Sequence, residues 1–215
     1  ELVAELGFEG DGPDGRQDSS HIHQAVFRDE TSLLVCDLGA DRVREVALQD
    51  GDLRHTSDIE MPAGTGPRHL ALAPHRDDVM WVVGELDLTV HTVRREGGGW
   101  VVVQSVTTVP EGAGPEETTA AGIVVSPDGS HVYVSTRGND TISVYAVDEA
   151  GELAPRQQVL TGRGPRFIGW VPGEEGRRLL VAAEDEGSVD VWAVDEGQLE
   201  PTGHSLAWAA PTWAG

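Results

Sequence analysis

The chain has 215 residues, enough for one sizeable hydrophobic core, and a formal net charge of −22 in which all 15 basic residues are arginine. Nucleic acid and anionic membrane surfaces would repel so acidic a chain, so neither is expected as a partner. Cys36 is the only cysteine, which excludes an internal disulfide, and no apolar run approaches the roughly 20 residues needed to cross a bilayer. A cytoplasmic protein is the expectation, although Glu1 stands where a methionine would open the chain and an upstream signal stays open.

In chain order, residues 1–18 form no complete unit: 2–6 read as an outer strand of something preceding, and 10–18 as a loop out of it. A unit then recurs four times. It opens on a short strand: His23-Gln24-Ala25-Val26-Phe27, Arg68-His69-Leu70-Ala71-Leu72, Ala121-Gly122-Ile123-Val124-Val125 and Arg166-Phe167-Ile168-Gly169-Trp170. A polar turn follows, clearest in Ser126-Pro127-Asp128-Gly129, and leads to an apolar strand at 33–36, 80–83, 132–135 and 179–182. A second tight turn precedes a third strand, as at 141–147 and 188–194. Asp/Glu/Gly-rich turns at 148–152 and 195–198 then lead to a weaker fourth strand. After the fourth unit, residues 205–213 read as the start of a further strand.

Four short strands separated by Pro, Gly and Asp turns, repeating every 45–50 residues or so, are the pattern of a β-propeller. The fold class is therefore all-β, a propeller of four-stranded antiparallel blades at about 19–64, 65–117, 118–162 and 163–208, with 1–18 a remnant of a preceding blade. Four blades that do not announce ring closure leave sheet faces exposed, and self-association through those faces is expected.

Blade equivalence turns the repeat into a coordinate system. The start of the innermost strand is His23, Arg68, Ala121 and Arg166 in turn; the turn after the second strand is Leu38, Glu85, Arg137 and Glu184. Both positions lie at the same end of a blade, so His23, Arg68, Glu85, Arg137 and Arg166 are expected to converge at one mouth of the channel. Gly66-Pro67-Arg68 and Gly164-Pro165-Arg166 repeat one tripeptide, and Ser20-His21-Ile22-His23 replaces it in the first blade. Proline fixes φ beside each charged residue and stiffens its approach. Three arginines with Glu85 leave a charge imbalance that an anionic ligand would resolve.

These motifs, together with Arg68-His69, Glu85-Leu86 and Ser135-Thr136-Arg137-Gly138-Asn139-Asp140, resemble the lactonase family of seven-bladed propellers. That family includes propeller-type 6-phosphogluconolactonases and 3-carboxy-cis,cis-muconate cyclase. The resemblance runs from about Ser19 onward and implies a seven-bladed parent of which these four blades are the C-terminal part. It also implies a site with His23, Glu85 and Arg137 as catalytic residues and Arg68, His69 and Arg166 as substrate-binding residues, acting on a small anionic lactone without a cofactor. Two departures stand out: Gly122 where many members carry an acidic residue, and Ala183-Glu184 in place of an Asn-rich turn.

Lactone hydrolysis needs an activated water, a stabilised oxyanion and a proton for the leaving alkoxide. His23 or Glu85 is the candidate base, with Arg68 and Arg137 holding the substrate anion and the developing charge. A carboxymuconate-type cycloisomerase, a non-catalytic binding scaffold and an inactive fragment of the enzyme remain alternatives. No metal is expected. His69, His75, His91 and His131 lack ligand spacing, and His21 and His23 face opposite ways in an extended segment, with His21 a structural hydrogen-bonder. Asn139 is the chain's one asparagine, a poor match to the asparagine-rich calcium lactonases, and no Ser-His-Asp arrangement stands out. Trp81, Trp170 and Trp192 are expected in blade-to-blade packing, and residues 111–117 form an acidic surface loop.

Overall fold

The structure is a computed structural model that describes residues 4–109 and 118–212. Four antiparallel four-stranded sheets follow one another along the chain. The first holds β1 (Ile22–Asp29), β2 (Ser32–Asp37), β3 (Arg42–Gln49) and β4 (Asp52–Glu60). The second holds β5 (Pro67–Leu72), β6 (Val79–Gly84), β7 (Thr89–Glu96) and β8 (Gly99–Thr107). The third holds β9 (Thr119–Val125), β10 (His131–Arg137), β11 (Thr141–Val147) and β12 (Leu153–Leu160). The fourth holds β13 (Pro165–Trp170), β14 (Arg178–Ala183), β15 (Ser188–Asp195) and β16 (Gln198–Ala207). Contacts between sheets join β1 to β5, β5 to β9 and β9 to β13, so the first strand of every blade is innermost and the blades are arranged radially.

Period-two alternation assigns each strand's side chains to two different neighbours. On β6, Met80 and Val82 enter a cluster with Leu34, Cys36 and Val43 of the first blade. Val79, Trp81 and Val83 enter another with Val132, Val134 and Tyr145 of the third. Tyr133 turns the other way, into a cluster with Ile168, Leu179 and Trp192 of the fourth. Indole N–H groups stitch the same seams: Trp81 Nε1 donates to Gly151 O at 2.9 Å and Trp170 Nε1 to Val125 O at 2.7 Å. The core is thus a stack of interfaces between sheets, and Trp81, Trp170 and Trp192 belong to it.

The second turn of each blade repeats one backbone device. The residue before the third strand is left-handed: Asp41 (φ 51), Leu88 (φ 57), Asp140 (φ 53) and Gly187 (φ 73). Its carbonyl accepts the N–H of the residue just after the fourth strand, from Met61, Thr108, Thr161 and Trp208 respectively, at 2.8–2.9 Å. Each blade is closed at that corner regardless of the side chain it carries.

Two expectations at the ends are corrected. Residues 4–6 form no strand, and 2–3 lie outside the described residues; residues 205–207 belong to β16, the fourth strand of the last blade, and 208–212 form none. The acidic stretch 111–117 also lies outside the described residues. Among the described residues no helix is long and apolar enough to cross a membrane.

Candidate functional site

The innermost strands share one irregularity. Pairing passes from Pro67↔Gly84 to His69↔Val83, from Ile22↔Asp37 to Gln24↔Cys36, and from Pro165↔Ala183 to Phe167↔Ala182. Arg68, His23 and Arg166 are the residues skipped, each the extra residue of a β-bulge. In the third blade the skip takes in Ala121 and Gly122, between Ala120↔Thr136 and Ile123↔Val134. A bulge bends the strand and re-aims the side chain it carries. The ring read from the repeat is therefore a ring of bulges.

The tripeptide Gly-Pro-Arg makes local sense against this. Gly66 and Gly164 are left-handed (φ 58 and 68), and a Cβ there would strike Leu86 and Asp185, the turn of the same blade. The buried prolines at 67 and 165 then start the strand with no N–H to satisfy. In the first blade Asp37 does this work instead: Oδ1 accepts His21 N at 2.8 Å and Oδ2 accepts Ser20 Oγ at 2.8 Å. His21 is a structural hydrogen-bonder through its backbone, whose carbonyl also accepts Leu38 N; its ring is exposed and makes no hydrogen bond among the described residues.

Glu85 is the centre of the cluster. Its N–H donates to Gly66 O at 2.9 Å, which fixes the turn beside Arg68. Arg68 Nε lies 2.7 Å from Glu85 Oε2, and Arg137 Nη2 lies 3.1 Å from Oε1. Arg68 Nη1 donates to Ala121 O across to the third blade at 3.0 Å. The same nitrogen is 3.4 Å from Nδ1 and 3.3 Å from Nε2 of His69, a nearly equal spacing that places it against the ring and not in line with one lone pair. The rings of His69 and His23 meet edge to face at 5.0 Å between centroids. Arg166 makes its own pair with Glu184 at 3.0 Å, and its charge still reaches His23 and Arg68. His23, Arg68, His69, Glu85 and Arg137 are thus gathered, with Arg166 alongside in a separate pair.

One member was not foreseen. Arg16 Nη2 donates to Glu85 Oε1 at 2.6 Å from the loop at 10–18, with no repeat equivalent to point to it. Three guanidiniums consequently share one carboxylate.

The electrostatics follow from that crowding. Burial pushes the Glu85 carboxyl up, but the Arg16 hydrogen bond and the charges of Arg137, Arg68 and Arg16 outweigh it and hold it below its ordinary value. Burial pushes Arg68 down to about 10, which leaves it cationic at neutral pH. His69 is pushed down to about 3 by burial and by Arg68, and His23 to about 4 by its partial burial and by the Arg68 and Arg166 cations. Both imidazoles are neutral at pH 7. Arg68 Nε and Arg137 Nε are buried and make no well-directed hydrogen bond among the described residues, so the Arg68–Glu85 approach is a charge contact.

A second polar network lies in the same blade. His91 Nδ1 bonds Ser105 Oγ at 2.8 Å, and its Nε2 contacts Thr89 Oγ1 at 2.6 Å, Asp87 Oδ2 at 3.0 Å and Thr65 Oγ1 at 3.3 Å. A serine, a histidine and an aspartate are in line here, which the sequence did not show. The ring is fully buried and both nitrogens are taken, so the network braces the turn at Asp87 against the loop residue Thr65 ahead of Gly66 and serves the fold. Among the described residues no group of three or more His, Cys, Asp or Glu is placed to hold a metal ion.

A family described as "Lactonase, 7-bladed beta-propeller" matches residues 1–214. The chain belongs to the seven-bladed lactonase family. It is 34% identical over 189 residues to a 6-phosphogluconolactonase of Bacillus subtilis, a match covering 86% of this chain and 53% of that protein. Among solved structures, a protein from Lactobacillus plantarum superposes with a TM-score of 0.88 at 30% identity, over 96% of this chain and 61% of that one. A periplasmic gluconolactonase of Pseudomonas aeruginosa superposes at 0.82 and 29%, over 93% and 57%. The chain spans about half the length of the curated relatives it matches.

Gly122, between the third and fourth blades, is tightly enclosed. Its backbone N–H donates to Ser135 Oγ at 2.9 Å, and a Cβ would sit 3.1 Å from the backbone nitrogen of Ile168 on the next blade. The neighbouring blade occupies the space that a larger residue would need.

Proposed function

We propose that this chain supplies the anion-binding half of a lactonase site that hydrolyses a sugar-acid lactone bearing a negative group, of the 6-phosphogluconolactone type. The observation that carries the reading is the convergence of Arg16, Arg68 and Arg137 on the single carboxylate of Glu85. In a chain of net charge −22, a local excess of guanidinium is a cost unless an anion uses it. The names of the relatives favour hydrolysis over cyclisation as the chemistry.

The geometry favours one division of labour. Glu85 has both oxygens engaged by cations and a lowered pKa, so it suits the role of counter-ion better than that of base. His23 is exposed and unprotonated at pH 7 at the edge of the cluster, so its ring is free to accept a proton from water. Partial burial and the Arg68 and Arg166 cations, which lower its pKa to about 4, make it a weaker base than an ordinary imidazole. Arg68 and Arg137 would then stabilise the oxyanion, and Arg166 the substrate's anionic group.

The test is an assay of 6-phosphogluconolactone, glucono-lactone and carboxymuconolactone with this chain and with a version extended to the length of its relatives. Turnover of the phosphorylated lactone, ahead of the neutral one, supports the reading. Turnover by the longer protein alone assigns the missing wall of the site to the preceding blades. If neither protein turns over any lactone but 6-phosphogluconate binds, the propeller is a scaffold and the reading fails.

A further inference from the structure

Two segments far apart in sequence end on the two oxygens of Glu85, and one buried side chain holds them both. Asp41 sits at the left-handed corner of the first blade and is 7% exposed. Its Oδ1 accepts Gly66 N at 2.8 Å and its Oδ2 accepts Gly64 N at 2.7 Å, which fixes the loop running into Pro67 and Arg68. Oδ1 also accepts Gln17 Nε2 at 2.7 Å. Gln17 is 1% exposed, donates a second hydrogen bond to Leu38 O at 2.8 Å, and closes its own loop through Asp14 N to Oε1 at 3.0 Å. Arg16 is its neighbour in the chain. One arm therefore leads to Arg16 on Oε1, the other to Arg68 on Oε2.

The other blades show what is particular here. Asp140, at the equivalent corner, accepts Gly164 N at 2.8 Å ahead of Arg166. Leu88 occupies the corner ahead of the third blade, whose bulge carries Ala121 and no arginine. A carboxylate at the corner thus accompanies an arginine at the next blade's bulge. Among the described residues, of these corner carboxylates only Asp41 has a second arm.

We propose that Asp41 is a positioning residue whose carboxylate sets the Arg16 loop and the Gly64–Gly66 loop against each other, so that two guanidiniums bracket Glu85. Any effect of this bracket on turnover rests on the lactonase reading; the placement itself does not, and it is tested without an activity.

The experiment follows the imidazole of His69 and the carboxyl of Glu85 by NMR titration in the full 215-residue chain. Asp41→Asn keeps a residue that tolerates the left-handed corner but turns one acceptor into a donor facing an N–H. With Arg68 loosened, the His69 midpoint rises by about half a unit or more, because Arg68 is the nearest cation depressing it. Asp140→Asn makes the same change at the corresponding corner, whose loop leads to Arg166, and leaves His69 where it was. Gln17→Met cuts only the other arm: it raises the Glu85 midpoint, since Arg16 is released, and leaves His69 unmoved. An equal response of His69 to Asp41→Asn and Asp140→Asn would mark a general loosening and overturn the proposal. So would a folded Asp41→Asn chain with His69 unshifted, or a folded Gln17→Met chain with Glu85 unshifted. Should Asp41→Asn fail to fold, the Gln17→Met titration still decides whether the Arg16 arm runs through Gln17 to Asp41.

Discussion

The guanidinium of Arg68, on β5, and the carboxylate of Glu85, in the turn after β6, meet at 2.7 Å with their side chains only 3% and 4% exposed. Taking both charges out of water costs more than a lone pair of this kind commonly returns. The arrangement holds because Glu85 is shared: Arg137 comes from the third blade and Arg16 from the loop before the first. One anion thus keeps three cations from different parts of the chain in one place.

Glu85→Gln should destabilise the protein by about 3 kcal/mol, because it strands Arg68 as an unpaired buried cation. Arg68→Met alone should also be costly, leaving Glu85 with the two less buried arginines. The double variant should lose less than the sum of the two, by about 1 kcal/mol or more. Urea denaturation of the four proteins at one pH measures the coupling; strict additivity would mean that the pair contributes nothing.

His69 makes stability depend on pH in a defined direction. Its folded pKa, about 3, lies below the ordinary 6.5, so between those values the unfolded chain binds the extra proton. Its contribution is complete above pH 6.5 and is lost as pH falls toward 3. In wild type the unfolding free energy should therefore decline from pH 6 to pH 4, with His69 contributing at most about 1.4 kcal/mol per pH unit. His69→Asn should show a shallower decline over the same window, read from urea midpoints at pH 4, 5 and 6. An unchanged slope would show that His69 is protonated as freely in the folded chain as in the unfolded one.

How much of this was legible depends on what each residue faces. The second strands were plain because β6 and β10 are buried on both faces, so that residues 79–83 read as an unbroken apolar run and 132–134 as a shorter one. The fourth strands looked weak, yet β16 at 10 residues is the longest among the described residues. Outer strands are exposed, so neither burial nor strict alternation marks them, and for the same reason 205–207 read as a new element. Equivalent residues placed His23, Arg68, Glu85, Arg137 and Arg166 together because a repeat carries geometry. Arg16 and Gln17 escaped because they lie outside the repeat, in a loop whose position is set by a hydrogen bond to Asp41 that no local pattern announces.

Gly122→Glu should destabilise this chain by about 1–3 kcal/mol. The new Cβ would meet backbone of the fourth blade at 3.1 Å, and backbone cannot rotate away as a side chain can. Gly122→Ala should already cost part of this, and trimming the other neighbour with Ile168→Ala should not rescue it, because the tight approach to the backbone nitrogen remains. Thermal unfolding of the three variants distinguishes this from a purely side-chain clash, which Ile168→Ala would relieve.

Arg16→Ala separates charge from fold. Arg16 is 53% exposed, so solvent screens its pair with Glu85 and the loss of stability at pH 7 should stay below about 1 kcal/mol. Its effect on Glu85 should be clearer. The folded pKa of Glu85 is held below its ordinary value, so that carboxylate contributes stability above the unfolded pKa and loses it as pH falls through the folded one. Removing Arg16 takes away the largest of the influences that lower this pKa and narrows the gap. The acid loss attributable to Glu85 should then be smaller and should be completed at a higher pH than in wild type. Urea midpoints for the two proteins at pH 7, 4 and 3 test this: the variant should be slightly weaker at pH 7 and should converge on wild type in acid. A deficit that persists unchanged at pH 3 would show that Arg16 acts through its loop and not through the charge of Glu85.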